Sequence, residues 1–178
     1  HSSGHTENML GADNQQERLI NLVWIVGFVD GEGCFSVGIV HQDDRPNRKG
    51  YKLHYQVFHE FAVTQGAKSL SALEEIRDYF KVGKIYLNKR YDNHKEHMHR
   101  YVVRRREELM KVIIPFFQAH KLHTSKKEDF QKFSQVIELV ENGKHLEENG
   151  LIQILQIVQT MNHKKSHEGL IRILTHHT

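Results

Sequence analysis

Two glycines four residues apart in the stretch 22–33, LVWIVGFVDGEG, restrict what this chain can fold into more than any other feature. Read as a helix, the segment stacks Gly27 over Gly31 on one face. Each glycine costs a helix interior about 1 kcal/mol relative to alanine. A pair on one stripe therefore implies close approach of a second backbone, as small residues at this spacing permit. Trp24, Ile25, Phe28 and Val29 surround the stripe with apolar bulk. Asp30 and Glu32 arrive at the C-terminal end, where the helix dipole disfavours acids, and Gly33 suits a left-handed helix stop. A carboxylate held against that preference calls for a cation as partner. The competing description is a buried helix with a glycine cap and two solvated acids.

The remaining chain divides into alternating elements. At 178 residues it is long enough for one domain with its own core. Residues 1–8, HSSGHTEN, have the composition of an affinity-tag remnant, with Met9 as the native start. Residues 9–162 are expected to form the domain, and 163–178 a loosely held basic, His-rich tail. The polar stretch 11–17 reads as disorder or a helix lead-in, with Asp13 or Asn14 as N-cap, and the glycine helix as 16–31. Strands are expected over 34–40 and 51–65, joined by the charged loop 41–50. In 51–65 the odd positions from Tyr51 to Val63 form a core face, and Lys52, His54, Gln56, Phe58, Glu60, Ala62 and Thr64 the other. An amphipathic helix follows over 67–80, then strands over 84–89 and 98–105. Helices are expected over 107–120 (kinked or ended at Pro115), 128–141 and 151–161. This order defines an α+β fold: a four-stranded antiparallel sheet with helices on one face.

Charge narrows the partner. The whole chain carries only +3, but residues 81–106 hold nine Lys/Arg and two acids, a balance of +7. A charged edge strand that resists aggregation would look similar. The interleaving of cations with Tyr86, Asn88 and Arg90 fits phosphates and base edges better. Cys34 is the only cysteine, which excludes an internal disulfide and a cysteine metal cluster and suits a reducing, intracellular compartment. The 15 histidines fall at spacings that form no closed zinc site. No stretch is apolar enough for a membrane span, and no secretory signal is present.

Residues 25–33, IVGFVDGEG, resemble the nine-residue motif that names the LAGLIDADG homing endonucleases. The glycine Gly27, the first acid, a small residue (Gly31), the second acid and the closing Gly33 are in order; Ile25-Val26 replace Leu-Ala, and Glu32 stands where the name has Asp. The αββαββα order with C-terminal helices matches that fold too. The resemblance implies a saddle-shaped sheet whose polar face lies in the DNA major groove, lined by Ser36, Gly38, Gln42, Lys52, His54, Gln56, Glu60, Tyr86, Asn88, Arg90, Arg100 and Arg104. FAVTQ, residues 61–65, resembles the strand that delivers a cleavage-site glutamine, here Gln65. LHTSKKEDF, residues 122–130, resembles the loop of the active-site lysine, here Lys126, with Lys127 as the alternative. One motif implies a homodimer, with Gly27, Gly31 and Asp30 at the helix–helix contact.

The resemblance further implies Glu32 of each subunit, with the Gly31 carbonyl, as ligands of Mg²⁺. Mn²⁺ would substitute, and Ca²⁺ would support binding with little cleavage. The expected activity is hydrolysis of both strands of a long, near-palindromic duplex. The alternatives are an intron RNA maturase on the same fold and a DNA-binding regulator without cleavage. The host would be the organelle, bacterium or phage that carries the intron or intein.

Overall fold

A computed structural model describes residues 4–43, 53–89, 97–161, 171–172 and 174, including the backbone of 4–10. The first helix, α1, runs Gly4–Glu32, twelve residues further upstream than its apolar pattern announces. Residues 11–21 are all exposed, so this half of α1 has no apolar face against the core and left no periodicity to read. No helix among the described residues is long and apolar enough to cross a membrane.

Four strands follow the expected order: β1 Gly33–His41, β2 Tyr55–Gly66, β3 Lys84–Asn88 and β4 Met98–Val103. β2 starts later than the expected residue 51, after a left-handed His54 (φ 57°), and β4 ends at Val103, ahead of the expected residue 105. They form one antiparallel sheet in the order β1-β2-β4-β3. Pairing of Phe35 with Phe61, and of Phe61 with Val103, sets the register. Because side chains alternate, this register turns Phe35, Val37, Val57, Phe61, Val63, Tyr101 and Val103 to one face, where all are buried. His59 shares their parity. Burial first, and then the nearby Arg106 and His145, push its pKa down to about 4, so it is neutral at physiological pH.

Helices cover only that face. They are α2 Leu70–Phe80, α3 Arg106–Glu108, α4 Ile114–Ala119, α5 Lys126–Glu141 and α6 Glu148–Val158. Phe35 stacks on Phe61 at 5.0 Å and meets Phe130 and Phe133 of α5 at 5.1 and 5.5 Å, which ties sheet to helix. The helix expected over 107–120 is not ended at Pro115: it runs on to Ala119, with a π-helical turn, Leu109–Ile113, placed just ahead of the proline. The wider turn accommodates a residue that can give no N–H to the turn before it. The tail is not wholly loose: Leu174 is 7% exposed within the core, and Ile171 packs against it. Leucine and isoleucine amid histidines were the only hint of that anchor.

Candidate active site and nucleic-acid interface

α1 passes into β1 with no residue between them: Glu32 ends the helix and Gly33 begins the strand. Gly33 is not the left-handed stop that its position suggested. A Cβ there would stand 2.6 Å from Val29 Cγ1 and 2.8 Å from the Val29 carbonyl, so the glycine serves close approach of the chain to its own helix. Gly27 and Gly31 behave in the opposite way. Both are exposed, and a Cβ on either would meet nothing within 4 Å. The chain itself supplies no backbone to fill their stripe. Ile20 and Val23, 61% and 66% exposed, continue that stripe upstream, while Ile25 and Val29 on the other side are buried. α1 is therefore apolar on two opposite faces.

The two acids of the motif separate. Asp30, expected at the helix–helix contact, is turned into its own chain and is 9% exposed. Its carboxylate accepts hydrogen bonds from the His123 amide (2.9 Å), the Thr124 amide (3.1 Å) and the Thr124 hydroxyl (2.7 Å). Burial works against the charge, but these donors, with the nearby His123, outweigh it and hold the carboxyl below its ordinary range. Asp30 thus finds its partners on the loop ahead of α5. Glu32 stays exposed.

The loop clasped by Asp30 leads into α5, whose first residue is Lys126. Lys126 Nζ donates to the Gly31 carbonyl at 3.1 Å, across 95 residues of sequence. Partial burial lowers its pKa, while nearby Cys34, Asp30 and Glu32 pull it up. Lys127 is exposed and lines a groove between α4 and α5. Of the two candidate lysines, the structure brings Lys126 to the motif. Gln65 is half-buried at the end of β2. Gly33 pairs with Val63, so Thr64 and Gln65 run past the end of β1 beside the α1 joint.

The sheet face without helices collects most of the predicted contact residues. By register Ser36, Gly38, Gln56, Glu60, Tyr86, Asn88, Arg100 and Arg104 share it. Gln42 joins them through a hydrogen bond from its amide to Gln56. His54 is exposed just ahead of β2 with a left-handed backbone, φ 57°. Lys52 and Arg90 lie outside the described residues. Phe58 and Thr64, assigned to this face by alternation but not named as contacts, belong to it, and so does Lys84, which the alternation of β3 could have added. Glu60 departs from expectation in its surroundings. It is 6% exposed and bound by Arg100 and Arg104, so it is covered where a reader of DNA would be open. Among the described residues no group of three or more His, Cys, Asp or Glu could hold a metal ion.

An acid-bearing helix that runs straight into the edge of a four-stranded antiparallel sheet, with helices on one face only, is the LAGLIDADG fold. The chain belongs to the LAGLIDADG endonuclease family, whose sequence model matches residues 25–137. The homing endonuclease I-TnaI is similar in structure, with a TM-score of 0.69 at 38% identity over 87% of this chain and 96% of that one. I-SmaMI, solved on an uncleaved DNA target in the presence of calcium ions, gives a TM-score of 0.67 at 33% identity over 81% and 45%. A probable intron-encoded DNA endonuclease of Mycosarcoma maydis is 30% identical over 82% of this chain and 48% of its own length. The chain spans about a quarter to a half of the length of the curated relatives it matches.

Asp30 makes a prediction of its own. Asp30→Ala leaves two amides and a hydroxyl without their acceptor and should destabilise the fold by about 2–4 kcal/mol. A lowered folded-state pKa means that this contribution is full above the ordinary value of 3.8 and is lost as pH falls through the lowered one. Thermal melts of wild type and Asp30→Ala should therefore differ most near neutral pH and converge in strong acid. A gap that persists unchanged at pH 2 would show that the charge contributes nothing.

Proposed function

We propose that two copies of this fold, paired along α1, form a site-specific DNA endonuclease that cuts both strands of a long, near-palindromic duplex with Mg²⁺. The observation that supports this is the meeting of Glu32, Gly31 and Lys126 at the joint between α1 and the sheet. The apolar outward stripe of Ile20, Val23, Gly27 and Gly31 supports a second copy as partner. Through a two-fold contact each chain would bring one Glu32 to the axis.

The donors suit a hard divalent ion. Glu32 offers an exposed carboxylate, and the Gly31 carbonyl already accepts a cation, the Lys126 ammonium. One chain supplies too few ligands for a closed site, which leaves room for phosphate oxygens, water and the second Glu32. When bound, Mg²⁺ neutralises charge at the scissile phosphate and promotes ionisation of water. Lys126 is the residue that donates to an oxygen at this point, and a phosphate oxygen can take the place of the Gly31 carbonyl. Gln65 can orient water through its amide, and Asp30 positions Lys126 by fixing the loop before α5.

The test is cleavage of a randomised duplex library by the full chain. One family of related sites should be cut on both strands in Mg²⁺, none in EDTA, with binding but little cutting in Ca²⁺. Affinity should fall roughly a thousandfold or more between about 50 and 200 mM salt if six or more phosphates are neutralised. Cutting in EDTA, or cuts scattered without sequence preference, would refute the proposal.

A further inference from the structure

We propose that Arg104 reads a guanine in each half-site and that buried Glu60 is the positioning residue that aims it; the assignment rests on the endonuclease function proposed above. Glu60 sits in the middle of β2, on the open face, and is buried where Arg100 of β4 and Arg104 just beyond it reach across to its carboxylate. A carboxylate taken out of water needs partners for both oxygens. Here Oε1 accepts from Arg100 Nη2, and Oε2 accepts from Arg104 Nε at 3.0 Å.

The two arginines are left with different capacities. Arg100 commits an Nη nitrogen, one arm of its terminal fork. Arg104 commits Nε, and its fork, Nη1 with Nη2, is not taken up by Glu60. Two rings flank the same guanidinium: its central carbon lies 5.4 Å from the centre of Phe58 and 5.7 Å from that of Tyr86. A carboxylate below and an aromatic ring on two neighbouring strands limit the plane in which the fork can turn. Its side chain is still 47% exposed, whereas that of Glu60 is 8% exposed. The arrangement is a planar pair of donors, held in orientation and presented to solvent.

Guanine is the base that matches it. In the major groove guanine offers two acceptors side by side, O6 and N7, to which a guanidinium fork bonds twice. Adenine sets an N–H donor beside N7 and would oppose one arm of the fork. Phosphate could also take two bonds from arginine, but it would confer no base preference.

The test equilibrates the full chain, in Ca²⁺, with a duplex library randomised over each half-site, and sequences the bound fraction. Wild type should enrich guanine at one base pair of each half-site. Arg104→Lys keeps the charge and loses the fork, and should reduce that preference by roughly ten- to hundredfold. Its affinity for random-sequence DNA should stay within a few-fold. Glu60→Gln keeps the shape and removes a negative charge from the face. Binding to random-sequence DNA should strengthen, while the guanine preference at that same base pair falls several-fold. An Arg104→Lys protein that keeps the guanine preference overturns the assignment. A Glu60→Gln protein that binds every sequence more tightly by the same factor overturns the positioning role. Circular dichroism and melting temperature confirm that each variant folds, and Arg104, at the surface, can be replaced without burying a new group. A folded wild type that selects no sequence overturns the endonuclease proposal itself, an outcome distinct from both.

Discussion

Glu32→Gln is expected to abolish Mg²⁺-dependent cleavage in both strands and to leave DNA binding intact or slightly stronger. Glutamine keeps the length and shape of the side chain but cannot offer a charged oxygen to a divalent ion. The fold does not depend on that charge. The end of α1 is fixed by Asp30 on the 122–126 loop and by the contact of Gly33 with Val29, while Glu32 is exposed. Removing a negative charge beside the phosphates should, if anything, help binding when no metal is present. Lys126→Met should slow cleavage by about a hundredfold or more, the usual cost of deleting a group that stabilises developing charge. Lys127→Met should do much less, because Lys127 lines the groove between α4 and α5 and not the motif. A dimer with one Glu32→Gln subunit should be impaired in double-strand cutting, since in the proposed assembly both carboxylates would meet at the axis. Normal cutting of both strands by the double variant would remove Glu32 from the chemistry.

The second large effect is expected from Gly27→Leu, which should convert a dimer into a folded monomer and suppress binding and cleavage together. The separation of fold from assembly follows from the open space around Gly27 within its own chain. There the Cβ of the leucine meets nothing within 4 Å, and the substitution gains about 1 kcal/mol of helix propensity. In a pair of helices in backbone contact, the same side chain forces the axes towards the 8–10 Å separation of ordinary packing. Sedimentation should show halved mass with an equal or higher melting temperature. Gly27→Ala, which adds one methyl group, should give an intermediate loss of dimer. If Gly27→Leu sediments as wild type and still cuts, α1 is not the pairing surface.

The strands and their faces were legible because strand alternation is local: Tyr55 to Gln65 declares both faces, and the basic stretch 81–106 declares the third and fourth strands, whereas their register rests on pairings between distant segments. The motif helix was legible in type, since glycines at four-residue spacing have few other uses. What escaped depended on contacts far apart in sequence. Asp30 finds Thr124, 94 residues on, and Glu60 finds Arg100 and Arg104, 40 and 44 residues on. Nothing local distinguishes a clasped acid from an exposed one. Lys126 and Lys127 are adjacent and chemically identical, and only the fold decides which of them reaches Gly31. The upstream half of α1 was missed for the opposite reason: it makes too few contacts with the core to imprint a pattern.

The joint at Glu32 and Gly33 leaves the protein no slack. A residue inserted there would rotate the helix by about 100° relative to the sheet and turn Glu32 away from Lys126. Length changes between β1 and β2, at the other end of the strands, would leave the joint untouched. The two ends of the sheet therefore tolerate change unequally: the hairpin end can vary in length, whereas at the seam a single extra residue would undo the fit of helix, sheet and loop.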